Sequence, residues 1–316
     1  MQVDSKQTLK VLSLQQINPA KTFSPMDFTK ALVTVVLKPL SRLPFGVLYF
    51  ISDLLYLPIR YLIGYRKKVV WSNLKTCFPD REHSSLKKTM NGFYRHFCDL
   101  IVETVKLGSI RKEDALKRCK VLNPELMNDL YEEGKSIIVI AGHYNNWELA
   151  AMVQPLFFKY KGLGIYSPLR NPTLDSYIRE TRSRFGMELV PKKRTLKTML
   201  TEVEKGPVAT CFLSDQSPKR SQNAYWTQFL NRETGIPFGA GAYAVRYDMP
   251  VVYGGMEKVK RGHYEITFKL ITKNPREMGA EGILESYNKL LESEILKKPE
   301  YWLWSHKRWK HKRSVK

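Results

Sequence analysis

The 316-residue chain is poor in cysteine and short of acid. Its four cysteines, Cys77, Cys98, Cys119 and Cys211, lie about 20 or more residues apart and form no CxxC pair. That spacing argues against a disulfide framework or a cysteine metal cluster and suits reduced thiols in a cytosol-facing protein. There is no GxSxG elbow, so a serine nucleophile of that kind is not expected. The first 25 residues carry Lys6, Lys10 and Lys21 but no uninterrupted apolar core, and so lack the marks of a signal peptide. Internal repeats and low-complexity linkers are missing as well. Wholesale disorder is excluded by 43% hydrophobic and 12% aromatic residues.

What is present in excess is positive charge. Lys and Arg number 52 against 30 Asp and Glu, leaving +22, and such a surplus favours polyanionic partners: nucleic acid, an anionic membrane surface or an acidic carrier. The charge is patchy. Residues 60–75, 191–197 and 300–316 together hold +14 of it. The first patch, with Arg66-Lys67-Lys68, follows directly on the most apolar stretch of the chain, Phe45 to Ile63, where cations meet anionic head groups on the cytoplasmic side of a membrane. That stretch approaches the length of a membrane span, but Asp53, Pro58 and Arg60 bring the balance for spanning near break-even. Gly46, Tyr49, Asp53, Tyr56 and Arg60 recur at helical spacing, with Leu48, Ile51, Leu55 and Leu62 opposite. We therefore expect a helix lying in the membrane plane on its leucine face, in preference to a spanning helix or a core helix of a soluble domain.

From Ser136 onward short β-rich runs alternate with helical ones, the pattern of an α/β fold. Ser136–Ala141, Gly162–Ser167, Val208–Leu213, Pro250–Gly255 and Tyr264–Thr272 are predicted strands, while Pro172–Phe185, Arg194–Lys205 and Glu281–Leu296 are predicted helices, with Pro172 suited to a first helical turn. The expected organisation is a flexible segment over 1–28, a membrane-anchoring helical region over 29–66, and an α/β domain over 67–316 ending in a basic, aromatic tail.

In Ile140 to Ala150, IAGHYNNWELA, a buried strand ends at Gly142 and His143, and a helix starts near Asn145 or Asn146. Ligands bind at such strand-to-helix turns. On one continuous helix His143 and Glu148 would point about 140° apart. With His143 in the turn and Glu148 in the first helical turn, the carboxylate can fold back onto the imidazole, leaving the second ring nitrogen to accept a proton as a general base.

This segment resembles the His-x4-Asp/Glu motif of the glycerolipid acyltransferase superfamily, in particular the lipid A late acyltransferase family, also called lysophospholipid acyltransferase-like. Further blocks resemble that family in order: Tyr65-Arg66-Lys67-Lys68 with Asn73-Leu74 and Cys77-Phe78-Pro79; Ser167-Pro168-Leu169-Arg170-Asn171-Pro172 with Asp175 and Arg184-Phe185-Gly186; Ser214-Asp215-Gln216; Thr234-Gly235-Ile236-Pro237; and Pro299-Glu300-Tyr301-Trp302-Leu303-Trp304-Ser305-His306-Lys307-Arg308-Trp309-Lys310. The resemblance runs from about residue 29 to 313. Glu148 departs from the aspartate common in the wider superfamily, and Ser214 stands where small apolar residues are frequent.

The resemblance implies a mostly parallel sheet flanked by helices and transfer of an acyl chain from a thioester to a lipid hydroxyl at the cytoplasmic face of a bacterial inner membrane. His143 would be the base and Glu148 its partner. Arg170 and Asn171 would bind substrate, Arg170 taking a phosphate or the developing oxyanion. Asp215 and Gln216 would hold the acceptor or buttress Arg170. Neither a metal nor a cofactor is implied. The donor would be an acyl carrier protein in preference to coenzyme A, and the acceptor an anionic lipid such as a lipid A precursor. The alternatives are a lysophospholipid, aminolipid or glycolipid acyltransferase using acyl-CoA, or a noncatalytic basic protein on membrane or nucleic acid. Trp302, Trp304 and Trp309 among Lys307, Arg308 and Lys310 suit a membrane interface better than base stacking, and His306 and His311 join that tail.

Overall fold

A computed structural model describes residues 25–218 and 224–313, so most of the expected flexible segment 1–28 lies outside the described residues. Among the described residues nine strands form: β1 Cys119–Val121, β2 Ile137–Ala141, β3 Lys161–Tyr166, β4 Glu188–Pro191, β5 Val208–Leu213, β6 Ala224–Phe229, β7 Arg232–Pro237, β8 Val251–Lys260 and β9 His263–Thr272. Seven of them make one sheet in the order β1-β9-β8-β2-β5-β3-β4, and β6 and β7 pair as a separate hairpin. Strands β8, β2, β5, β3 and β4 run parallel; β9 returns antiparallel to β8, and β1 runs with β9. The fold is thus α/β with a mostly parallel central sheet flanked by helices.

The apolar run of β2 buries both of its faces, as a central parallel strand must. Ile138 and Ile140 face a core made with Leu74, Phe93, Tyr287 and Leu291, whereas Ile137 and Val139 face a second core with Met127, Leu130 and Met152. The predicted helices are present as Pro172–Ser183, Thr195–Val203 and Pro275–Lys297, the last interrupted at Gly279 by a positive φ of 74°. The hairpin turns at Leu230 and Asn231, both with positive φ, 50° and 62°.

Among the described residues one helical stretch, Phe45–Leu62, is long and apolar enough to cross a bilayer, and only 22% of it is buried in the protein. Its orientation corrects the expected one. The polar side of the helix faces the protein: Ser52 Oγ donates to Asp99 at 2.8 Å, Tyr49 Oη donates to Glu103 at 3.0 Å, and the buried Arg60 donates through Nε to Asn91 at 3.1 Å. Of the four residues expected on the membrane side, Leu48 is fully buried, Ile51 and Leu55 are half-buried, and Leu62 is exposed as expected. Phe50, Leu54 and Leu57 stand out instead, at 64%, 57% and 59% exposure. The long helix His83–Leu107 offers the carboxylates of Asp99 and Glu103 along its flank, and a buried carboxylate must be met by donors. Twelve of the nineteen large apolar side chains left exposed among the described residues fall between Phe28 and Tyr65, which makes this a contiguous segment of apolar surface and not scattered exceptions.

The closing block is a second correction. Trp302, Trp304 and Arg308 are among the most completely buried large side chains, so this block packs into the core and is not an exposed tail. Arg308 Nη1 donates to Thr234 Oγ1 and to the Gly235 carbonyl, both at 2.7 Å, whereas its Nε is buried without a hydrogen-bond partner. Only the flanking cations, Lys307, Lys310, Lys312 and Arg313, remain exposed.

Candidate active site

Strands β2 and β5 are parallel neighbours with Ala141 opposite Leu213. The chain leaves both at the same edge, so the residues two positions further on, His143 and Asp215, come together there, at the carboxyl ends where α/β sheets bind their ligands. A Cβ on Gly142 would lie 2.7 Å from Leu291 Cδ1, so the chain turns at a glycine because the helix Pro275–Lys297 packs hard against it. Beyond the turn Asn145 takes a left-handed φ of 54°, and the buried Asn146 caps the helix Trp147–Val153, its Oδ1 accepting from Leu149 N at 2.9 Å. Asn146 Nδ2 in turn donates to Glu103 at 2.6 Å, and Tyr264 Oη reaches the same carboxylate at 2.8 Å. Glu103 thereby ties the site turn to the Tyr49 hydroxyl of the outer helix.

His143 Nδ1 lies 2.6 Å from Asp215 Oδ1, and the His143 backbone N–H donates to Asp215 Oδ2 at 2.9 Å. The buried Trp302 indole N–H donates to the same Oδ2 at 2.8 Å. Burial pushes the Asp215 carboxyl up, but the adjoining His143 and these hydrogen bonds outweigh it and hold the group at about 2, so it is ionised near neutrality. An ionised, acceptor-only Asp215 fixes the His143 proton on Nδ1 and leaves Nε2 as the acceptor. Facing Nε2, at 3.1 Å, is the Gln216 side-chain amide nitrogen. The His143 side chain is 15% exposed, so the ring can be reached from outside.

Asp215 thus holds the position expected of Glu148. The Glu148 carboxylate is turned away onto Arg182, which clamps it through Nε and Nη2, with Trp147 Nε1 adding a third donor at 3.0 Å. A guanidinium fork outcompetes a neutral imidazole for a carboxylate, and Arg182 stands 34 residues along the chain, beyond local spacing rules. Asn171 is occupied structurally: its Oδ1 caps the helix Pro172–Ser183 through Leu174 N, and its Nδ2 donates to Thr29 Oγ1 at 2.8 Å. Arg170 is exposed beside it and is not buttressed by Asp215. Asp175 accepts from Leu169 N at 2.7 Å and from Tyr166 Oη at 3.2 Å, which shapes the loop that presents Arg170.

Two residues of the closing block complete the site. Leu303 N donates to the His143 carbonyl and Asn145 N to the Tyr301 carbonyl, so residues 301–303 run along the site turn as an added strand-like segment. Burial pushes the His306 imidazole down to about 4, leaving it neutral, and its Nε2 accepts from Ser217 N at 3.1 Å. The sequence signal for Trp302 and His306 was their place in the closing block, but their side-chain partners could not be read there. A carboxyl held below its usual 3.8 adds stability that is complete well above that pH and is lost as pH falls toward about 2. Trp302→Phe removes one donor to Oδ2, a loss of about 1.5–3 kcal/mol for a hydrogen bond to a charged group. In that variant the native carboxyl sits closer to its unfolded value, so the acid-dependent part of the stability is expected to be smaller and to be exhausted at a higher pH. Unfolding free energies measured from about pH 2 to 6 test this, and curves of the same shape for both proteins would show that the indole does not hold the carboxylate.

Residues 20–311 match the family of bacterial lipid A biosynthesis acyltransferases. The chain is 23% identical over 293 residues to the lipid A biosynthesis lauroyltransferase of Escherichia coli K12, covering 88% of this chain and 94% of that protein. It is 22% identical over 282 residues to the lipid A biosynthesis palmitoleoyltransferase of the same organism, covering 85% and 87%. A lipid A biosynthesis acyltransferase of Haemophilus influenzae is 23% identical over 52% of each chain. With the match spanning the sheet, the His143 turn and the closing block that completes it, the chain is an acyltransferase and belongs to the bacterial lipid A biosynthesis acyltransferase family.

Proposed function

We propose that the protein moves a fatty acyl chain from a thioester donor to a hydroxyl of an anionic lipid, a lipid A precursor first among them, while resting on the cytoplasmic face of a bacterial inner membrane. The observation that carries the mechanism is the relay Trp302 to Asp215 to His143, which leaves one basic nitrogen at the carboxyl edge of the sheet. His143 Nε2 takes the acceptor hydroxyl proton as that oxygen attacks the thioester carbonyl. The C–S bond then breaks and the leaving thiolate recovers the proton, with no acyl-enzyme. Asp215 stabilises the transient imidazolium. Glu148 and Arg182 form a charged wall beside the base, and Arg170 on its exposed loop meets an acceptor phosphate.

The apolar surface from Phe28 to Tyr65 supports docking by residues 29–66, the remainder acting as the acyltransferase domain. The Asn171 to Thr29 hydrogen bond joins that surface to the substrate loop, so a lipid drawn from the bilayer has a short path to Arg170. An acyl carrier protein is put ahead of coenzyme A as donor on the family resemblance; its acidity suits a chain of +22, as do the phosphates of coenzyme A. The test is reconstitution: purified full-length protein in mixed micelles with a lipid A precursor and either acyl carrier protein thioester or acyl-CoA, read by mass spectrometry of the lipid. Faster acylation from the carrier thioester is expected. Acylation of a lysophospholipid but not of the lipid A precursor would replace the acceptor, and no transfer from either donor would end the proposal.

A further inference from the structure

We infer that Gln216 guards the catalytic base, occupying the seat of the acceptor hydroxyl until acceptor arrives and so keeping water from it. The inference rests on reading His143 as the base. With the ring proton fixed on Nδ1 by Asp215, Nε2 offers a lone pair, and a carboxamide oxygen there would oppose it. The amide nitrogen, 3.1 Å away, is the group that fits, and it donates. The contact therefore takes up the same lone pair that must receive the hydroxyl proton. In the resting enzyme the base is capped by a neutral donor with the hydrogen-bonding chemistry of its substrate.

The backbone on which Gln216 sits is pinned on its far side. Ser217 N donates to His306 Nε2, and His311 Nε2 donates to the Pro218 carbonyl, both at 3.1 Å. The residue before it, Asp215, is held by Trp302 and His143. Release of the cap is therefore a rotation of the Gln216 side chain and not a loop movement. A hydroxyl held in line by the rest of the acceptor displaces the amide, whereas a lone water gains only the one hydrogen bond it replaces.

This guard matters because the donor is already activated. If water took the seat, its oxygen would attack the thioester carbonyl while its proton passed to Nε2. The C–S bond would break and that proton would go to the leaving thiolate, giving free fatty acid and free thiol. Transfer and hydrolysis thus share the base and differ only in what displaces Gln216.

The experiment compares the purified full-length protein with Gln216→Ala and Gln216→Asn, using an acyl thioester donor with and without lipid acceptor and quantifying free fatty acid and acylated lipid. Asn is one methylene short of the base while keeping the amide, and it serves if the alanine variant does not fold. Both are expected to raise the ratio of hydrolysis to transfer about tenfold, the effect of one removed hydrogen bond. An unchanged ratio in a folded variant overturns the guard. Adding His143→Ala to the alanine variant is expected to remove the hydrolysis; persistent hydrolysis there would instead count against His143 as the base.

Discussion

Asp215→Asn is expected to lower kcat by on the order of 10³ to 10⁴. The size follows from the bonding around the side chain. Oδ2 accepts both the His143 backbone N–H and the Trp302 indole N–H, so in an asparagine the carboxamide oxygen must stay there and the NH₂ must face the imidazole. Nδ1 then becomes an acceptor, the ring proton moves to Nε2, and the nitrogen turned toward substrate no longer has a lone pair. His143→Ala is expected to cost a similar factor, and the double variant little more than either single one, because the two residues act as a unit. Initial rates at saturating donor and acceptor, with circular dichroism to verify the fold, decide it. An asparagine variant within tenfold of the parent would mean that another group orients His143.

The second large effect concerns the membrane. Replacing Phe50, Leu54 and Leu57 together by aspartate is expected to reduce partitioning onto anionic vesicles on the order of 10³-fold or more, since each side chain contributes about 1.5–3 kcal/mol when its apolar area leaves water. The substitutions spare the contacts of Ser52, Tyr49 and Arg60, so the melting temperature is expected to hold. Flotation with vesicles containing anionic phospholipid is the readout, and co-flotation equal to that of the parent would rule out this face as the anchor. Ser52→Leu makes the helix more apolar overall yet removes a donor to buried Asp99, so the two variants separate total hydrophobicity from the identity of the outward face.

Much of this was legible in residue order. The unbroken apolar run of β2 and the β-rich run of β5 declared central strands, and His143 stood out by lying just after the first. Asp215 was visible as a substrate residue, but its bond to the imidazole joins positions 72 residues apart and depends on β5 lying next to β2, which no local pattern states. Glu148 illustrates the converse. Its spacing permitted a contact with His143, and the distant Arg182 took the carboxylate instead. Strands β1 and β4, at three and four residues, are too short for alternation to show, and the β6–β7 turn uses Leu230 where a glycine or asparagine would have announced a hairpin. The closing block misled because Trp and Arg have the same composition in a core as at a membrane interface; only the positions of Thr234 and Asp215 distinguish the two.

The outer helix also sets an order of events during synthesis. Its outward apolar side chains are complete when residue 63 has left the ribosome, but Asp53 and Tyr49 share Arg261, which lies 208 residues after Asp53. Until that arginine emerges the helix presents its apolar side with Asp53 still lacking its ion pair. Chains halted before residue 261 present the same apolar face but leave Asp53 without its guanidinium, so the polar side of the helix is completed only late in synthesis.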